Sequence, residues 1–402
     1  MNVKNTYVQL FSAICLAILC GIAISCTSNS PASNTVAVNL DIHDNDLVSD
    51  KFEHINFVKL ESKNGEYIGF IDQLIVTDDY IYIMDINSAG GIFIFTKEGK
   101  FVNSIRQEYN AKNGVSRFAK MLVTDKNELL VLDRNRKRIN IYTYLGEFLK
   151  YITLSYLASS IYHTNSQDVI LTKIADPCDV MDCNSYATVD YDGTVKAAFF
   201  VDSSEYNQIV SCNANQLLTS TSNLLIHATD QTVYQFEDSL SELVNFYFGK
   251  YDLPEDYKLM PADQLINEWF FNEQVFSGFN SICGSDSIYW TVYNYNSTQG
   301  ELDGRFGSLV YFKNSDSWFN INRIDFGASS PSDLDYYFPT SYNDGYFYGA
   351  INLQGGDLYT QLERGLSSNF GEFEELNAAI MLSKESDNPI IYGLSIDNPE
   401  IF

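Results

Sequence analysis

The residues of this 402-residue sequence that could do chemistry are mainly carboxylates, and two of them recur at equivalent places. Asp85 and Asp133 each follow a short apolar run, residues 81–84 and 129–132. Two carboxylates held about 5 to 10 Å apart can supply general acid and base catalysis across a glycosidic bond, and several carboxylate oxygens can hold Ca²⁺. Alternatively, each Asp accepts backbone N–H groups in its own turn. We favour the structural role for these candidate channel carboxylates, because a device that recurs with a repeat belongs to the fold.

Other catalytic signatures are missing from the sequence. It contains no Gly-x-Ser-x-Gly elbow, phosphate-binding loop or dinucleotide fingerprint. The run from Asp190 to Gly193 resembles the start of a cation-binding loop but lacks the later acidic positions. None of the four histidines is spaced as a zinc-ligand pair. We therefore expect no cofactor and no metal, and we expect a non-enzymatic protein, with catalysis as the open alternative.

The cysteines and the N-terminus indicate export. Lys4 precedes an apolar run over residues 8–24, and Ser25 supplies the small side chain that a cleavage site in front of Cys26 requires. We predict a lipoprotein signal at 1–25, lipid on Cys26, including palmitate, and a flexible tether at 26–50; a cleaved signal without lipid or a retained anchor are the alternatives. In an oxidising compartment Cys178 and Cys183 could form a disulfide, with free thiols as the alternative.

The charge excludes one class of partner. With 25 basic and 52 acidic residues the chain carries a formal net charge of −27. Nucleic acid is not expected as a partner, because binding to phosphates depends on basic surfaces. The one locally basic stretch, residues 134–138, is either a solvated turn between strands or a contact site for an acidic partner.

A repeat shows which elements must position these residues. The 28 Tyr and 27 Phe favour β structure. Gly99, Gly146 and Gly193 are spaced by 47 residues and occupy the same turn of a four-stranded unit, and a further step reaches Leu240. Such units are typical of a β-propeller. We predict an all-β fold over residues 51–402, a six-bladed β-propeller of four-stranded antiparallel blades, with seven blades as the alternative.

Two further elements complete this prediction. The early strand at residues 57–61 precedes the first full unit, so we expect it to join the last blade and close the ring. Short helical insertions are predicted within residues 253–274 and 370–383.

Four short motifs carry a resemblance to a known family: residues 81–85, Phe95-x-x-x-Gly99-Lys-Phe101, Phe248-Gly-Lys-x-x-Leu-Pro254 and Asp387-Asn-Pro389. Over about residues 50 to 400 the chain resembles the six-bladed β-propeller lipoproteins of Gram-negative bacteria, which are related to TolB-like and NHL-like propellers. The resemblance implies an outer-membrane lipoprotein that faces the periplasm or the cell surface. It also implies a binding or scaffold module. We expect a monomer whose ligand is a protein, peptide or glycan; the alternative is a hydrolase or lyase acting on a polysaccharide.

Overall fold

The structure is a computed structural model that describes most of the chain between Thr35 and Ile396. The described residues are 35–38, 46–48, 54–63, 67–163, 168–173, 184–201, 224–226, 231–236, 240–252, 276–285, 287–295, 305–315, 317–321, 323–325, 338–351 and 388–396.

Within these residues the regular structure is almost entirely β, and the one helical turn is a 3₁₀ turn at Gly249–Tyr251. The strands are β1 (Thr35–Ala37), β2 (Asp46–Val48), β3 (His54–Lys59), β4 (Gln73–Val76), β5 (Tyr80–Asp85), β6 (Gly91–Thr96), β7 (Phe101–Arg106), β8 (Phe118–Val123), β9 (Glu128–Asp133), β10 (Arg138–Thr143), β11 (Phe148–Thr153), β12 (Ala158–His163), β13 (Val169–Lys173), β14 (Asn184–Val189), β15 (Val195–Val201), β16 (Leu224–Ile226), β17 (Thr232–Phe236), β18 (Leu240–Tyr247), β19 (Phe276–Gly284), β20 (Ile288–Tyr295), β21 (Arg305–Phe312), β22 (Ser317–Ile321), β23 (Arg323–Asp325), β24 (Ser341–Asn343), β25 (Tyr346–Ile351) and β26 (Ile390–Ser395).

These strands form an all-β propeller, as predicted. In the described part of the chain there are six four-stranded sheets, which we call blades: blade 1 (β4–β7), blade 2 (β8–β11), blade 3 (β12–β15), blade 4 (β16–β18 with β1), blade 5 (β19–β22) and blade 6 (β24–β26 with β3). The first strands of successive blades contact each other from β19 through β24, β4 and β8 to β12. The sheets therefore pack around an axis lined by their first strands. Six is the predicted number of blades, and the count for the whole chain stays a prediction.

The repeat glycines lie where the spacing placed them. Gly99, Gly146 and Gly193 have φ of 82°, 84° and 85°, and each N–H donates to the carbonyl three residues earlier. A side chain is disfavoured in this left-handed region. A Cβ on Gly99 would also lie 2.3 Å from the carbonyl oxygen of Lys59 on the preceding blade. The glycine therefore serves both its own turn and the contact with the neighbouring blade.

The ring closes through the early strand, as predicted. Strand β3 pairs antiparallel with β26, with Val58 opposite Ile391, so N-terminal and C-terminal strands share blade 6. Beside this pairing the Asn388 amide donates to the carbonyl of Glu61 at 3.0 Å and accepts the N–H of Ile68 at 2.8 Å. Ring closure therefore rests on a backbone ladder and on one buried side-chain bridge.

Part of the predicted tether belongs to the sheets, which corrects the predicted extent of free chain after Cys26. Strand β1 pairs parallel with β18, with Thr35 opposite Asn245, and β2 pairs parallel with β23. Blade 4 has three strands of its own, so β1 covers the edge of β18 that would otherwise stay open. Val38 is buried in the apolar cluster of this blade. The signal at 1–25, Cys26 and residues 27–34 lie outside the described residues.

The core lies between the faces of neighbouring blades. Between blades 1 and 2 it is mainly aliphatic, whereas between blades 5 and 6 it is rich in aromatic rings such as Trp290, Phe347 and Tyr392. Most of the abundant aromatic residues in the described part of the chain are thus core residues. The helical insertions predicted within 253–274 and 370–383 lie outside the described residues. No helix in the described ranges is long and apolar enough to cross a membrane.

Candidate functional site

Asp85, the last residue of β5, is fully buried and surrounded by backbone donors. Its Oδ2 atom accepts the N–H groups of Gly69 and Phe70 at 2.8 and 3.1 Å. Its Oδ1 atom accepts the N–H of Ser88 at 2.7 Å. The carboxylate therefore fixes the segment that leads into β4 and the turn that follows β5.

Asp133 occupies the equivalent place at the end of β9 and is also fully buried. Its Oδ2 accepts the N–H of Ser116 at 2.9 Å, and its Oδ1 accepts the Ser116 hydroxyl at 2.8 Å and the N–H of Arg117 at 3.3 Å. The guanidinium of Arg138 lies 3.7 Å from Oδ2. Asp133 differs from Asp85 in having this buried cationic partner.

Both carboxylates thus hold the two residues that enter the first strand of their own blade. Phe70 and Arg117 occupy equivalent places in this arrangement, and both are exposed. The contacts are those expected of the structural role. However, the prediction placed the donors in the turn of each Asp, whereas most of them lie 15 to 17 residues earlier in the chain. This entry segment was not identified from the sequence, because pairing across that separation depends on the blade fold.

A second polar cluster lies where β4 meets β8. The side chain of Gln73 bridges the blades, accepting the N–H of Met121 and donating to its carbonyl, both at 2.9 Å. Next to it, burial lowers the pKa of Lys120 to about 7, and the nearby Asp72 partly opposes this shift. Burial raises the pKa of Asp72, although its hydrogen bond from the N–H of Ile86 acts in the opposite direction. The two groups are therefore poised to exchange protons closer to neutrality than free side chains would be.

Sequence reasoning missed this Lys–Asp pair. The only signal available was Lys120 itself, a charged residue inside the otherwise apolar inner strand 118–123. Its partner could not be found from the sequence, because Asp72 belongs to a different blade and its electrostatic interaction with Lys120 spans 48 residues of the chain.

The basic stretch 134–138 comprises the turn between β9 and β10 and the first residue of β10. Two of its arginines bind the loop that precedes β8. Arg136 donates to the carbonyls of Tyr109, Ala111 and Gly114 at 2.6 to 2.9 Å. Arg138 donates to the carbonyls of Lys112 and Gly114, and its guanidinium lies over the ring of Tyr151 at 5.0 Å from the centroid. The stretch is thus a turn, as one interpretation held, whose arginines also shape the adjacent loop.

The candidate cation loop at residues 190–193 is a self-contained turn. Oδ1 of Asp190 accepts the N–H groups of Asp192 and Thr194 at 3.0 and 2.9 Å. Oδ2 lies 2.8 Å from the Lys196 ammonium, and that hydrogen bond is the main reason why the pKa of Asp190 is lowered. Both carboxylate oxygens of Asp190 are thus occupied, one by N–H groups of the turn and the other by Lys196 of β15.

Cys26 and the possible disulfide pair Cys178 and Cys183 lie outside the described residues, so both remain predictions. Cys283 is a free, buried thiol whose pKa is raised by burial. In the ranges that the structure describes, no three His, Cys, Asp or Glu side chains are grouped closely enough to hold a metal ion.

The sequence profile of a family described as "Domain of unknown function (DUF4934)" matches residues 34–394. The chain belongs to the DUF4934 family. Its match begins one residue before β1, so the family domain includes the strand that completes blade 4. No curated protein matches this DUF4934 chain.

Several solved structures resemble this DUF4934 chain to different degrees. A protein named as an exported protein of Bacteroides fragilis has a TM-score of 0.68 at 16% identity, covering 90% of this chain and 99% of its own. A DUF4221 family member from Bacteroides vulgatus has a TM-score of 0.49 at 11% identity, with coverages of 86% and 97%. Virginiamycin B lyase from Staphylococcus aureus has a TM-score of 0.42 at 10% identity, with coverages of 86% and 99%. At these identities the first similarity shows the fold alone.

Proposed function

We propose that this protein is a non-enzymatic binding module of the cell envelope that holds a protein, peptide or glycan on one face of its propeller. That face, which we call the entry face, consists of residues 67–72, 86–90, 107–117 and 134–137. The observation that carries the proposal is the set of hydrogen bonds that the carboxylates of Asp85 and Asp133 accept. Their oxygens already accept backbone N–H groups of the entry segments, so these carboxylates serve to position loops.

Exposed aromatic side chains on the entry face support a binding role. The exposed fractions are 47% for Tyr67, 52% for Phe70 and 67% for Tyr109. Large rings left in water on loops held by a rigid scaffold are common at binding sites, since each can bury a large area on contact. Asp85 holds the loop of Phe70, and Arg136 holds the loop of Tyr109.

In this proposal the protein is anchored to the outer membrane by palmitate and the other lipid on Cys26. It faces the periplasm or the cell surface. The signal-like N-terminus and the similarity to a protein named as exported support export. We also propose the TolB-like lipoprotein character that the motifs imply, a monomeric state and a Cys178–Cys183 disulfide. Incorporation of labelled palmitate in cells tests the anchor: Cys26→Ser is expected to abolish labelling and Cys20→Ser to retain it. Labelling that survives Cys26→Ser would contradict lipidation at Cys26.

The second candidate function is a hydrolase or lyase acting on a polysaccharide. The observation that favours it is the pair formed by Asp72 and Lys120, whose shifted pKa values suit acid and base chemistry. This pair differs from the carboxylates that the sequence suggested, and it lies between the first strands of blades 1 and 2.

One experiment separates the two functions. The purified protein is incubated with a panel of polysaccharides and peptides, and both equilibrium binding and the appearance of new sugar ends are measured. We expect saturable binding by at least one ligand and no new ends. Release of new ends that is lost in Lys120→Met but retained in Lys112→Met would overturn the binding proposal in favour of catalysis.

A further inference from the structure

In the part of the chain that the structure describes, the entry face of blade 2 contrasts in charge with the acidic chain as a whole. The whole chain carries 52 acidic and 25 basic residues. Residues 106–117 and 133–138 together hold seven basic and two acidic residues, a local net charge of +5 in a chain of −27. One of the two acidic residues, Asp133, is fully buried.

Hydrogen bonds bring these two segments together into one surface. Arg136 of the turn and Arg138, the first residue of β10, donate to carbonyls at positions 109, 111, 112 and 114 of the loop. The N–H of Arg134 donates to the carbonyl of Arg117 at 3.1 Å. We call residues 109–117 and 134–138 the basic surface. The positive charge is therefore concentrated by the fold as well as by the sequence.

Five of the six cations of the basic surface fall into two groups. Arg136 and Arg138 use their N–H groups on the loop carbonyls and hold its shape. Lys112, Arg117 and Lys137 are exposed, and their charged groups form no ion pair or hydrogen bond in the described part of the chain. A loop held by hydrogen bonds thus presents unpaired charges, which reduces the ordering cost of binding an anion.

We propose that the basic surface binds a short acidic peptide segment of a partner protein. The inference rests on the proposed binding function and names the class of ligand. Guanidinium and ammonium groups recognise clustered carboxylates, and an exposed ring beside arginine is the composition of binding hot spots. Tyr109, at 67% exposure, supplies that ring at the edge of the surface.

The acidity of the remaining chain favours a short ligand over a long polyanion. At physiological ionic strength charges separated by more than about 8 Å are largely screened. A short acidic segment on the basic surface therefore experiences mainly the local positive charge. A nucleic acid duplex, a long acidic polysaccharide or an anionic membrane would extend over the acidic remainder of the chain and be repelled.

The same contrast predicts an unusual dependence on salt. At about 0.01 M salt the screening length grows to about 30 Å, so the ligand also experiences the negative charge of the whole chain. At about 1 M salt the length falls to about 3 Å, and the local attraction is screened. Affinity for an acidic peptide is therefore expected to peak near 0.1 M salt and to decrease on either side.

The test measures binding of a fluorescent Glu/Tyr peptide to the full chain by anisotropy, with the matching Gln/Tyr peptide as the uncharged probe. The double variant Lys112→Glu and Arg117→Glu is compared with Lys100→Glu and Lys126→Glu, which change net charge equally but lie on turns at the opposite end of blades 1 and 2. We expect the first pair to weaken binding by about tenfold or more and the second pair by less than twofold. Tyr109→Ala should also weaken binding, whereas Tyr247→Ala, on blade 4, should not.

Three outcomes would overturn the inference. Equal binding of the two peptides, equal effects of the two charge-reversing pairs, or tighter binding of an oligouronate or DNA oligomer than of the acidic peptide would each contradict it. The proposed binding function would survive these outcomes if the polysaccharide and peptide panel still showed saturable binding without turnover. Loss of that panel binding as well would remove both.

Discussion

Replacement of Asp133 by Asn tests whether this buried carboxylate is a structural device. The change keeps the size of the side chain, so no cavity forms. It replaces one acceptor oxygen with an amide donor that faces the N–H of Ser116 or of Arg117, and losing such a charged hydrogen bond costs about 1.5–3 kcal/mol. The change also removes the negative charge that lies 3.7 Å from the buried guanidinium of Arg138. Breaking a buried ion pair in this way lowers the free energy of unfolding by about 3–5 kcal/mol.

Asp85 provides the matched comparison. It has equivalent bonds to backbone N–H groups but no ion pair in the described residues. Because Arg138 retains its bonds to loop carbonyls, we expect Asp133→Asn to lower the free energy of unfolding by about 3–5 kcal/mol. We expect about 1.5–3 kcal/mol for Asp85→Asn and less than about 0.5 kcal/mol for the exposed control Asp79→Asn.

Urea unfolding followed by tryptophan fluorescence measures these differences, because Trp290 is fully buried and Trp318 stacks on Tyr311 in blade 5. Equal unfolding midpoints for Asp133→Asn and Asp79→Asn would refute the structural role of Asp133. A larger loss for Asp85→Asn than for Asp133→Asn would refute the assigned contribution of the Arg138 ion pair.

Three further variants test other contacts by the same urea unfolding. Gly99→Ala should lower the free energy of unfolding by about 2–5 kcal/mol, because Gly99 has a left-handed φ and a Cβ there would clash with the preceding blade. Gly345→Ala should lower it by only about 1–2 kcal/mol, because Gly345 has a φ of 81° but open space around it. Equal losses of stability would contradict the interblade contact of Gly99. Asn388→Ala should cost about 1–3 kcal/mol because it leaves a buried N–H and a carbonyl without partners, and a neutral effect would contradict its bridging role. Burial lowers the pKa of Lys120 to about 7, whereas the pKa of lysine in an unfolded chain is about 10.4. Between these two pH values the unfolded chain binds more protons than the folded chain. The contribution of Lys120 therefore makes the free energy of unfolding rise with pH in this range, by up to about 1.4 kcal/mol per pH unit. Lys120→Met should remove that rise and increase stability at about pH 7; an unchanged pH profile would show that Lys120 is not buried as a neutral amine.

The fold could be predicted from the sequence where it rests on local signals. Gly99, Gly146 and Gly193 mark turns whose geometry depends on a few adjacent residues, so their spacing identified the repeat. The closing strand was predicted because an early strand without a partner can pair with the last blade, which closes the ring and removes the free edges. Strand β1 was missed because three residues pairing in parallel with a strand 210 positions later leave no local pattern.

The site was harder to predict than the fold. Asp85 and Asp133 were recognised because they recur, but the donors that occupy them come from segments 15 to 17 residues earlier. The pairing of Lys120 with Asp72 depends on how two blades pack. The loop contacts of Arg136 depend on the fold in the same way, because the turn at 134–137 and the loop at 109–114 meet only once blade 2 has formed.

Site-specific photocrosslinking in cells is the most direct test of the entry face as a binding surface. A photoreactive phenylalanine analogue is placed at Tyr109, on the basic surface, or at Tyr247, which is 53% exposed on blade 4. We expect a discrete crosslinked species from position 109 that is lost when Lys112→Glu and Arg117→Glu are added, and none from position 247. Equal crosslinking from both positions, or none from position 109 in cells where the protein cleaves a polysaccharide, would contradict the proposed binding function.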